Sequence, residues 1–468
     1  MVFIGHQTLT SEVIFMRRPI TIKHEMERLA SHSGLIHIGA LLDTITFRFR
    51  FNKIDGVHCV DPKISHGDIL ASMIALMSIG KPDYDAIEIF REKQDFFNKA
   101  VGINACPSSP TLRQRIDLIG NQADTLLKDA AADLIRTCAP VVSPIQTSAG
   151  DFLPLDMDVS PFDNSKTQKE GVSRTYKGVD GFAPIFAYLG TEGYLVNLEF
   201  REGKQHCQKN TPQFINATLD YVRQITDLPI LMRLDSGNDS QDNFPDGSRN
   251  HIEFIIKRNL RRESVQKWVD LAKKTGEPQY CRSGKCVWIG KTFKDINGNP
   301  LPYPIIFELT ERHTKKGQTL LFPEYQIDTY WCSLEQLSPE EVIRLYHDHG
   351  TSEQFHSELK SDMGLERLPS GHFSSNSLIL HLAMLTYNML RIIGQISLEE
   401  SHPDELPGVR KKKVFRRRIR TVMQDLMYMA GRLVTGGRQW FLSFGQLNPF
   451  SKMMERVYHR LNVLPAMK

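Results

Sequence analysis

The strongest constraint on the fold of this chain is a change in hydrophobic period near residue 151. Before it, segments such as HGDILASMIALMSIG (66–80) place apolar residues at helical spacing. After it, FLPLDMDV (152–159) alternates like a strand. LPILMRL (228–234) is a continuous apolar run of the kind that forms a strand buried on both faces. The change predicts a helical region followed by an α/β core.

The order of elements in this core predicts a sheet of mixed direction. Two strands are expected at 182–190 and 193–200, and a helix is expected to begin at Thr211-Pro212. The buried run at 228–234 comes next, and HIEFIIK (251–257) is a further strand. The pattern is therefore strand, strand, strand, helix, strand, strand.

Four regions follow from these boundaries. Residues 1–150 are mainly helical, and 151–263 together with 338–400 form the mixed-sheet core. Residues 264–337 hold several short strand-like runs, which we interpret as a β-rich insertion forming a separate lobe. Residues 401–468 form a helical, basic C-terminal region.

The net charge of +4 is unevenly distributed along the chain. Of the 58 Lys and Arg residues, 14 lie in 401–468 with 4 of the 54 Asp and Glu, so this segment carries +10 and the rest carries −6. Hydrophobic residues make up 41% of the chain, which excludes a mainly disordered protein. A basic tail on a mildly acidic body indicates either a polyanionic partner or a solubilising segment.

Targeting signals and membrane spans are not predicted. The start of the sequence has no basic segment followed by an apolar run, and the seven cysteines are scattered. The longest apolar stretch, 378–394, is interrupted by His381, Asn388 and Arg391, which predicts a buried helix. We therefore expect a cytoplasmic protein that has no membrane partner.

Carboxylates stand where the strands of the core end. Asp158 lies near the end of one predicted strand, and Asp235 directly follows another, at the sheet edge where open α/β sheets bind ligands. Taken alone, each is more often a turn or cap residue. Two Mg²⁺ ions held by a few such carboxylates can activate a water or hydroxyl and stabilise the leaving oxygen in phosphodiester cleavage.

A helix predicted from Ser338 aligns four further polar side chains. Tyr346, His349, Glu353 and Lys360 fall within an arc of roughly 60° at about 100° per residue, although Gly350 can interrupt the helix. This stripe resembles the Tyr-x2-Arg-x3-Glu-x6-Lys signature of one subgroup of the DDE transposases of bacterial insertion sequences, with His in place of Arg. The segments 155–161, 169–178, 232–239 and 376–390 extend the resemblance over about residues 150–400.

The resemblance implies an RNase H-like core with Asp158, Asp235 and Glu353 as catalytic metal ligands. Asp156 shares the strand face of Asp158 and is the alternative first ligand. The cofactor implied is Mg²⁺ or Mn²⁺, as two ions. Tyr346 and Lys360 are expected to contact DNA phosphate, and His349 would take the place of the arginine, although imidazole cannot make the bidentate fork of that side chain.

Further DNA contacts are predicted outside the signature. The basic loop at 169–178 offers Arg174 and Lys177. In relatives a flipped base stacks on an aromatic side chain of the insertion, for which Trp288 and Trp331 are candidates, although such tryptophans are more often core residues. RKKKVFRRRIR (410–420) is dense in positive charge and is interpreted as a DNA-backbone contact. Its candidate residues are Lys411, Lys412, Lys413, Arg416, Arg417 and Arg418.

These observations predict a transposase. It would bind the terminal inverted repeats of double-stranded DNA through its N-terminal region and other contacts, and act as a homodimer in the DNA complex. It would cut and join DNA by a cut-and-paste route, as its relatives do. A bacterial, nucleoid-associated location follows from the resemblance. Two alternatives remain open: a catalytically inactive DNA-binding protein derived from a transposase, and a structure-selective nuclease.

Overall fold

The computed structural model describes residues 29–59, 62–91, 94–245, 251–282, 284–315, 318–401, 414–437, 439–445 and 447–464. Lys411, Lys412 and Lys413, which are predicted to contact DNA, lie outside the described residues.

Helices dominate the N-terminal region. It contains β1 (Leu29–Ala30), α1 (Leu35–Thr44), α2 (Phe47–Phe51), α3 (His66–Ser78), α4 (Glu88–Arg91), α5 (Gln94–Val101), α6 (Ser109–Ile119) and α7 (Asp124–Cys138). The N-cap of α6 is Ser108, whose side chain accepts a hydrogen bond from the Thr111 amide. Arg115 of α6 is buried and lies 2.8 Å from His66 Nδ1, so this helix does not present it to solvent.

The strands of the core region are β2 (Ile145–Thr147), β3 (Gly150–Val159), β4 (Phe162–Asp163), β5 (Ser173–Arg174), β6 (Asp180–Phe182), β7 (Ile185–Leu189), β8 (Tyr194–Glu199), β9 (Ile230–Leu234) and β10 (Ile252–Lys257). The short strands β4, β5 and β6 form a separate three-stranded sheet, and the others belong to the core sheet, whose strands come in the predicted order. The α-helix α8 (Thr211–Ile225) lies between β8 and β9. β7 pairs antiparallel with both β3 and β8, whereas β9 pairs parallel with both β3 and β10. The protein is therefore a mixed α/β structure, as predicted.

The insertion extends this sheet. After α9 (Val265–Thr275) come β11 (Glu277–Arg282), β12 (Lys285–Lys294), β13 (Pro300–Lys315) and β14 (Gln318–Cys332). β14 pairs antiparallel with β10, so one sheet runs in the order β11-β12-β13-β14-β10-β9-β3-β7-β8. The expectation that the insertion forms a separate lobe is wrong, because its strand β14 joins the core sheet. The backbone groups along the edge of β10 would otherwise be unpaired, and β14 hydrogen-bonds to them.

The helix predicted from Ser338 begins there but is not regular. Ser338 accepts a hydrogen bond from the Glu341 amide and caps α10 (Pro339–His347). A 3₁₀ turn at Asp348–Thr351 follows, then α11 (Ser352–Ser357) and a π turn at Glu358–Asp362. The predicted stripe of four side chains is thereby broken, because each change of helical period rotates the later residues relative to the earlier ones.

A long buried helix, α12 (Phe373–Glu399), packs against α7, α3 and β8. By length and hydropathy it is the one helix in the described ranges that would suit a membrane span, and its apolar window is wholly buried inside the protein. This is the environment of a core helix, in line with the interpretation of 378–394 as buried.

The C-terminal region contains more than the helices predicted for it. It has α13 (Ile419–Val422), the hairpin β15 (Gly431–Gly436) and β16 (Gln439–Phe444), and α14 (Ser451–Asn462). β15 also pairs with β1, so the two ends of the described chain meet. The hairpin fits the alternating pattern of its strands and the positive φ of 54° at Gly437.

Candidate active site

Asp158 and Asp235 lie side by side where two neighbouring central strands of the sheet end. β3 and β9 are parallel neighbours in which Met157 is opposite Leu234, and both acids are the next residues along. Burial and then the negative charge of Asp158 raise the pKa of Asp235. The structure thus places two of the predicted acids together, at the carboxyl ends of adjacent strands.

Asp156 has a different environment from Asp158. It is buried and lies opposite Arg233 in the sheet, whose Nε and Nη2 donate to its two oxygens at 2.6 and 2.7 Å. His349 Nδ1 lies 2.9 Å from the same carboxylate. Burial acts to raise the pKa of Asp156, but Arg233 and His349 outweigh it and the pKa is lowered. Arg233 and His349 therefore occupy this carboxylate, which disfavours Asp156 as the first metal ligand.

His356 is a site residue that the sequence analysis missed. Its Nε2 lies 3.3 Å from Asp158 Oδ2, and its Nδ1 lies 3.1 Å from the hydroxyl of buried Tyr188. Burial lowers the pKa of His356. Burial would raise the pKa of Asp158, but the contact with His356 prevails and lowers it. His356 thus orients Asp158 and favours its ionised form.

The signature side chains take different positions around the acids. Tyr346 is half-buried, with its ring 4.8 Å from that of Tyr330 and 5.6 Å from that of His349. Burial, followed by the charges of Asp235 and Asp158, raises the pKa of Tyr346. Lys360 donates to the carbonyl of Pro161, and its amine lies 4.9 Å from the centroid of the Phe162 ring.

His349 and Glu353 separate across the irregular turn. His349 is buried on Asp156, so in this conformation it does not reach outward to a phosphate. Glu353 is exposed on α11. No group of three or more His, Cys, Asp or Glu side chains that could hold a metal ion occurs among the residues that the structure describes. The third predicted ligand is therefore not gathered with the other two.

The predicted basic loop borders the acids. Arg174 and Lys177 are exposed, and Arg174 pairs with Asp180 at 3.4 Å. A groove of about 690 Å³ is lined by residues from this loop, from the segment 203–208 and from Asp235 to Gly237. Lys177 also acts on Lys360, since its charge lowers the pKa of that amine in addition to the larger effect of burial. Arg174 thus lines the same groove as Asp235, and Lys360 lies within electrostatic reach of Asp158.

Of the two predicted tryptophans, Trp331 is buried and Trp288 is half-buried. Trp331 is 5% exposed, its indole Nε1 donates to Asp239 Oδ1 at 3.0 Å, and Arg258 lies 4.8 Å from the ring centroid. Trp288 is half-buried against the core, with Lys273 5.3 Å from its ring. The stacking role predicted for Trp331 is disfavoured by this burial, because a base needs a free ring face.

The described arginines of the C-terminal cluster bind acids of the protein itself. Arg416 Nη1 donates to Glu358 Oε1 at 2.6 Å, and Arg418 Nε donates to Asp362 Oδ2 at 2.7 Å. Arg417 is buried and pairs with Asp425. The prediction that these three contact the DNA backbone is not supported, because their charges are met within the fold. Charge density alone could not reveal these partners.

The carboxylate pair fits a divalent cation. Mg²⁺ and Mn²⁺ prefer oxygen ligands. A cation held by Asp158 and Asp235 would relieve the repulsion between them, which adds to the effect of burial in raising the pKa of Asp235.

Of the missed residues, Arg233 had left a signal in the sequence. It is the one charge within an apolar run, and such a charge requires a buried partner.

A mixed α/β sheet with two carboxylates at its strand ends and basic side chains near them offers ligands for a divalent cation and positive charge for a polyanion. Residues 13–466 match the family described as transposase DDE domain, group 1. Because the match spans nearly the whole chain, the chain belongs to this family. The family implies transposase function, with DNA as the partner and divalent metal ions as cofactors.

No curated protein matches the chain. Among solved structures, the cryo-EM structure of the piggyBac transposase synaptic complex with hairpin DNA is similar over 94% of this chain and 83% of that chain, with a TM-score of 0.41 and 10% sequence identity. A similarity of this degree carries no conclusion about function.

Proposed function

We propose that this protein cleaves the ends of a DNA insertion sequence and joins them to target DNA by metal-dependent phosphoryl transfer. The observation that carries the proposal is the carboxylate pair Asp158 and Asp235 on adjacent parallel strands. Family membership supplies the substrate class.

The strand order supports an RNase H-like core. The strands β8, β7 and β3 form an antiparallel meander, and β9 and β10 add in parallel on the other side of β3, with α8 in the crossover between β8 and β9. This arrangement brings the ends of β3 and β9 to the middle of the sheet edge, where a groove can receive a DNA strand.

Asp158 and Asp235 would hold the metal ions, with Glu353 as the third ligand. Bound there, two Mg²⁺ or Mn²⁺ ions supply activation of the attacking oxygen and stabilisation of the leaving oxygen. The protein's own side chains orient the reacting groups: His356 fixes Asp158, while Arg174, Lys177 and Lys360 provide positive charge for the DNA backbone. Tyr346 contributes a half-buried hydroxyl close to both acids.

Several finer features belong to the same proposal. The protein recognises terminal inverted repeats, acts as a homodimer on paired DNA ends, and follows a cut-and-paste route. A bacterial insertion sequence is the source expected from the signature, and the cytoplasm, near the nucleoid, is the expected location. Lys411, Lys412 and Lys413 are proposed to bind the DNA backbone.

The test is incubation of the purified protein with labelled DNA carrying the ends of its own element, with Mg²⁺ and with EDTA. We expect strand cleavage at the element ends and joining to target DNA, both only with Mg²⁺. Binding without cleavage would favour the inactive DNA-binding alternative, which the exposed position of Glu353 supports. Cleavage without joining would favour the structure-selective nuclease.

A further inference from the structure

The segment 235–239 (DSGND) is a short turn that carries Asp235 at the end of β9. The amide of Asn238 donates to the carbonyl of Asp235 at 3.1 Å and closes the turn. The side chain of Asn238 also points back along the turn, and its Nδ2 donates to Asp235 Oδ1 at 2.7 Å. Asn238 therefore fixes the rotation of a carboxylate that is proposed to hold metal.

Asn238 is itself held in place. It is fully buried, and its carbonyl accepts a hydrogen bond from Asn243 Nδ2 at 2.6 Å. An ionised carboxylate only accepts hydrogen bonds, so the amide of Asn238 must turn its nitrogen, and not its oxygen, towards Asp235. The position of this nitrogen then depends on how firmly the rest of the turn is anchored.

Asp239 anchors the far end of the turn to the insertion. It is buried, its Oδ1 accepts a hydrogen bond from Trp331 Nε1 at 3.0 Å, and its Oδ2 accepts one from the amide of Asn259 at 3.0 Å. Trp331 belongs to β14 of the insertion, and Asn259 follows β10. A buried carboxylate requires donors for its oxygens, so these two contacts fix the place of Asp239.

The indole of Trp331 has a fixed direction. Its backbone pairs with Ile256 of β10 on one side and with Ile305 of β13 on the other. The ring meets Phe244 edge-on, with 5.7 Å between the ring centroids, and the guanidinium of Arg258 lies 4.8 Å from its centroid. A ring held in this way points its N–H at Asp239 without further ordering.

Other hydrogen bonds hold the backbone of the turn. Cys207 Sγ donates to the carbonyl of Gly237 at 2.8 Å, and the carbonyl of Asp239 accepts from Gln208 Nε2 at 3.0 Å and from Arg261 Nη2 at 2.6 Å. Loss of the single contact from Trp331 should therefore loosen the turn without dissolving it.

We propose that Asn238 and Trp331 are positioning residues of the metal site: Trp331, on the insertion, fixes Asp239, and Asn238, in the same turn, fixes the carboxylate of Asp235. This rests on the proposed function, since it assumes that Asp235 holds a metal ion. It gives the insertion a part in metal binding, and it gives Trp331 a role other than the stacking of a base.

The test measures Mn²⁺ binding to the full chain without DNA, from the electron paramagnetic resonance signal of free Mn²⁺. The variants are Asn238→Ala, Trp331→Phe and the two changes combined, and Trp331→Phe keeps an aromatic ring while it removes the N–H. The matched control is Trp288→Phe, since Trp288 is a half-buried tryptophan of the same insertion. Asp235→Ala identifies the binding that belongs to the site, and thermal unfolding checks the folding of each variant.

We expect Asn238→Ala to weaken Mn²⁺ binding about 10- to 100-fold, because it removes a group that orients a metal ligand. Trp331→Phe acts at one remove and should weaken binding about 2- to 10-fold, the worth of one hydrogen bond. The combined variant should lose less than the product of the two single effects, since both act through Asp235. Trp288→Phe should bind Mn²⁺ as the unmodified chain does.

Unchanged Mn²⁺ affinity of folded Asn238→Ala or Trp331→Phe would overturn the proposal, as would single effects that multiply fully in the combined variant. Mn²⁺ binding that does not depend on Asp235 would overturn it as well. Trp331→Phe, the milder change, decides alone if Asn238→Ala does not fold. The measurement needs no cleavage, so a chain that binds Mn²⁺ through these residues but never cuts DNA would contradict the proposed function and leave the positioning roles standing.

Discussion

At the scale of single residues, two aspartates on one strand face have opposite roles. Asp156 is opposite Arg233 in the parallel pair of β3 and β9, and the guanidinium meets both of its oxygens. Asp158, one step further on the same face, lies beside Asp235 and is held by His356. The buried ion pair of Asp156 with Arg233 therefore supports the fold. The neighbouring pair of Asp158 and Asp235, whose charges repel each other, is the pair suited to binding metal ions.

Asp156→Asn should destabilise the protein strongly. The change leaves Arg233 buried without its counter-charge, which costs about 3–5 kcal/mol, and urea unfolding measures it. The matched control is Asp180→Asn, whose partner Arg174 is exposed and whose loss should cost at most about 1 kcal/mol. Equal urea midpoints for Asp156→Asn and the unmodified protein would show that the buried pair is not structural.

The sequence could place the acids at strand ends but could not choose between Asp156 and Asp158. Alternation put both on one face, and the choice depended on the register of β3 against β9, which sets Arg233 opposite Asp156. Such a register comes from long-range pairing, which local pattern does not encode. His356 was missed for the same reason, since its partners Asp158 and Tyr188 are distant in sequence.

At the scale of elements, the segment after α10 is held by the C-terminal arginines. Glu358 of the π turn accepts hydrogen bonds from Arg391 and Arg416, both at 2.6 Å, and Asp362 accepts from Arg418. Lys360 lies between these two acids. The sequence predicted a helix here, with Gly350 as a point where it can be interrupted, and DNA contacts for the arginines. Helical period and charge density each describe one segment of the sequence at a time. Neither could show the ion pairs that join the segment after α10 to the C-terminal arginines.

The salt dependence of DNA binding separates internal from DNA-facing charges. Lys177→Gln should reduce the slope of log K against log salt by close to one unit, about 0.9, because it removes one phosphate contact. Arg416→Gln should leave the slope unchanged, since its charge is paired with Glu358. A slope that falls with Arg416→Gln and stays constant with Lys177→Gln would reverse these two assignments.

At the scale of the whole molecule, one sheet and one buried helix join regions distant in sequence. β14 carries the insertion onto the core sheet, and α12 packs against α7 of the N-terminal region and β8 of the core. α1 and α14 pack together, with His37 Nε2 2.9 Å from Met454 Sδ. The sequence predicted the α/β class and most strand positions because these follow local period, but not how the regions join.

His37 should make this packing sensitive to acid. Burial lowers its pKa to about 3 in the folded protein, against 6.5 for an exposed histidine. Below pH 6.5 the unfolded chain takes up a proton that the folded protein does not, so stability is lost as pH falls from 6.5 towards 3. His37→Gln should lack this loss, and urea unfolding should give a difference from the unmodified protein that changes by about 2 kcal/mol between pH 7.5 and pH 5. A constant difference would rule out His37 as the source.

The central claim is that Asp158 and Asp235 hold catalytic metal ions, and exchange of ligand and metal tests it most directly. Asp158→Cys and Asp235→Cys are assayed for cleavage of labelled element ends with Mg²⁺ and with Mn²⁺, beside Asp163→Cys as a control. Thiolate is a poor ligand for Mg²⁺ and a better one for Mn²⁺. The account predicts loss of cleavage with Mg²⁺ and partial recovery with Mn²⁺ for the two site variants, and normal cleavage for the control. Cleavage at the unmodified rate with Mg²⁺ by either site variant would contradict it.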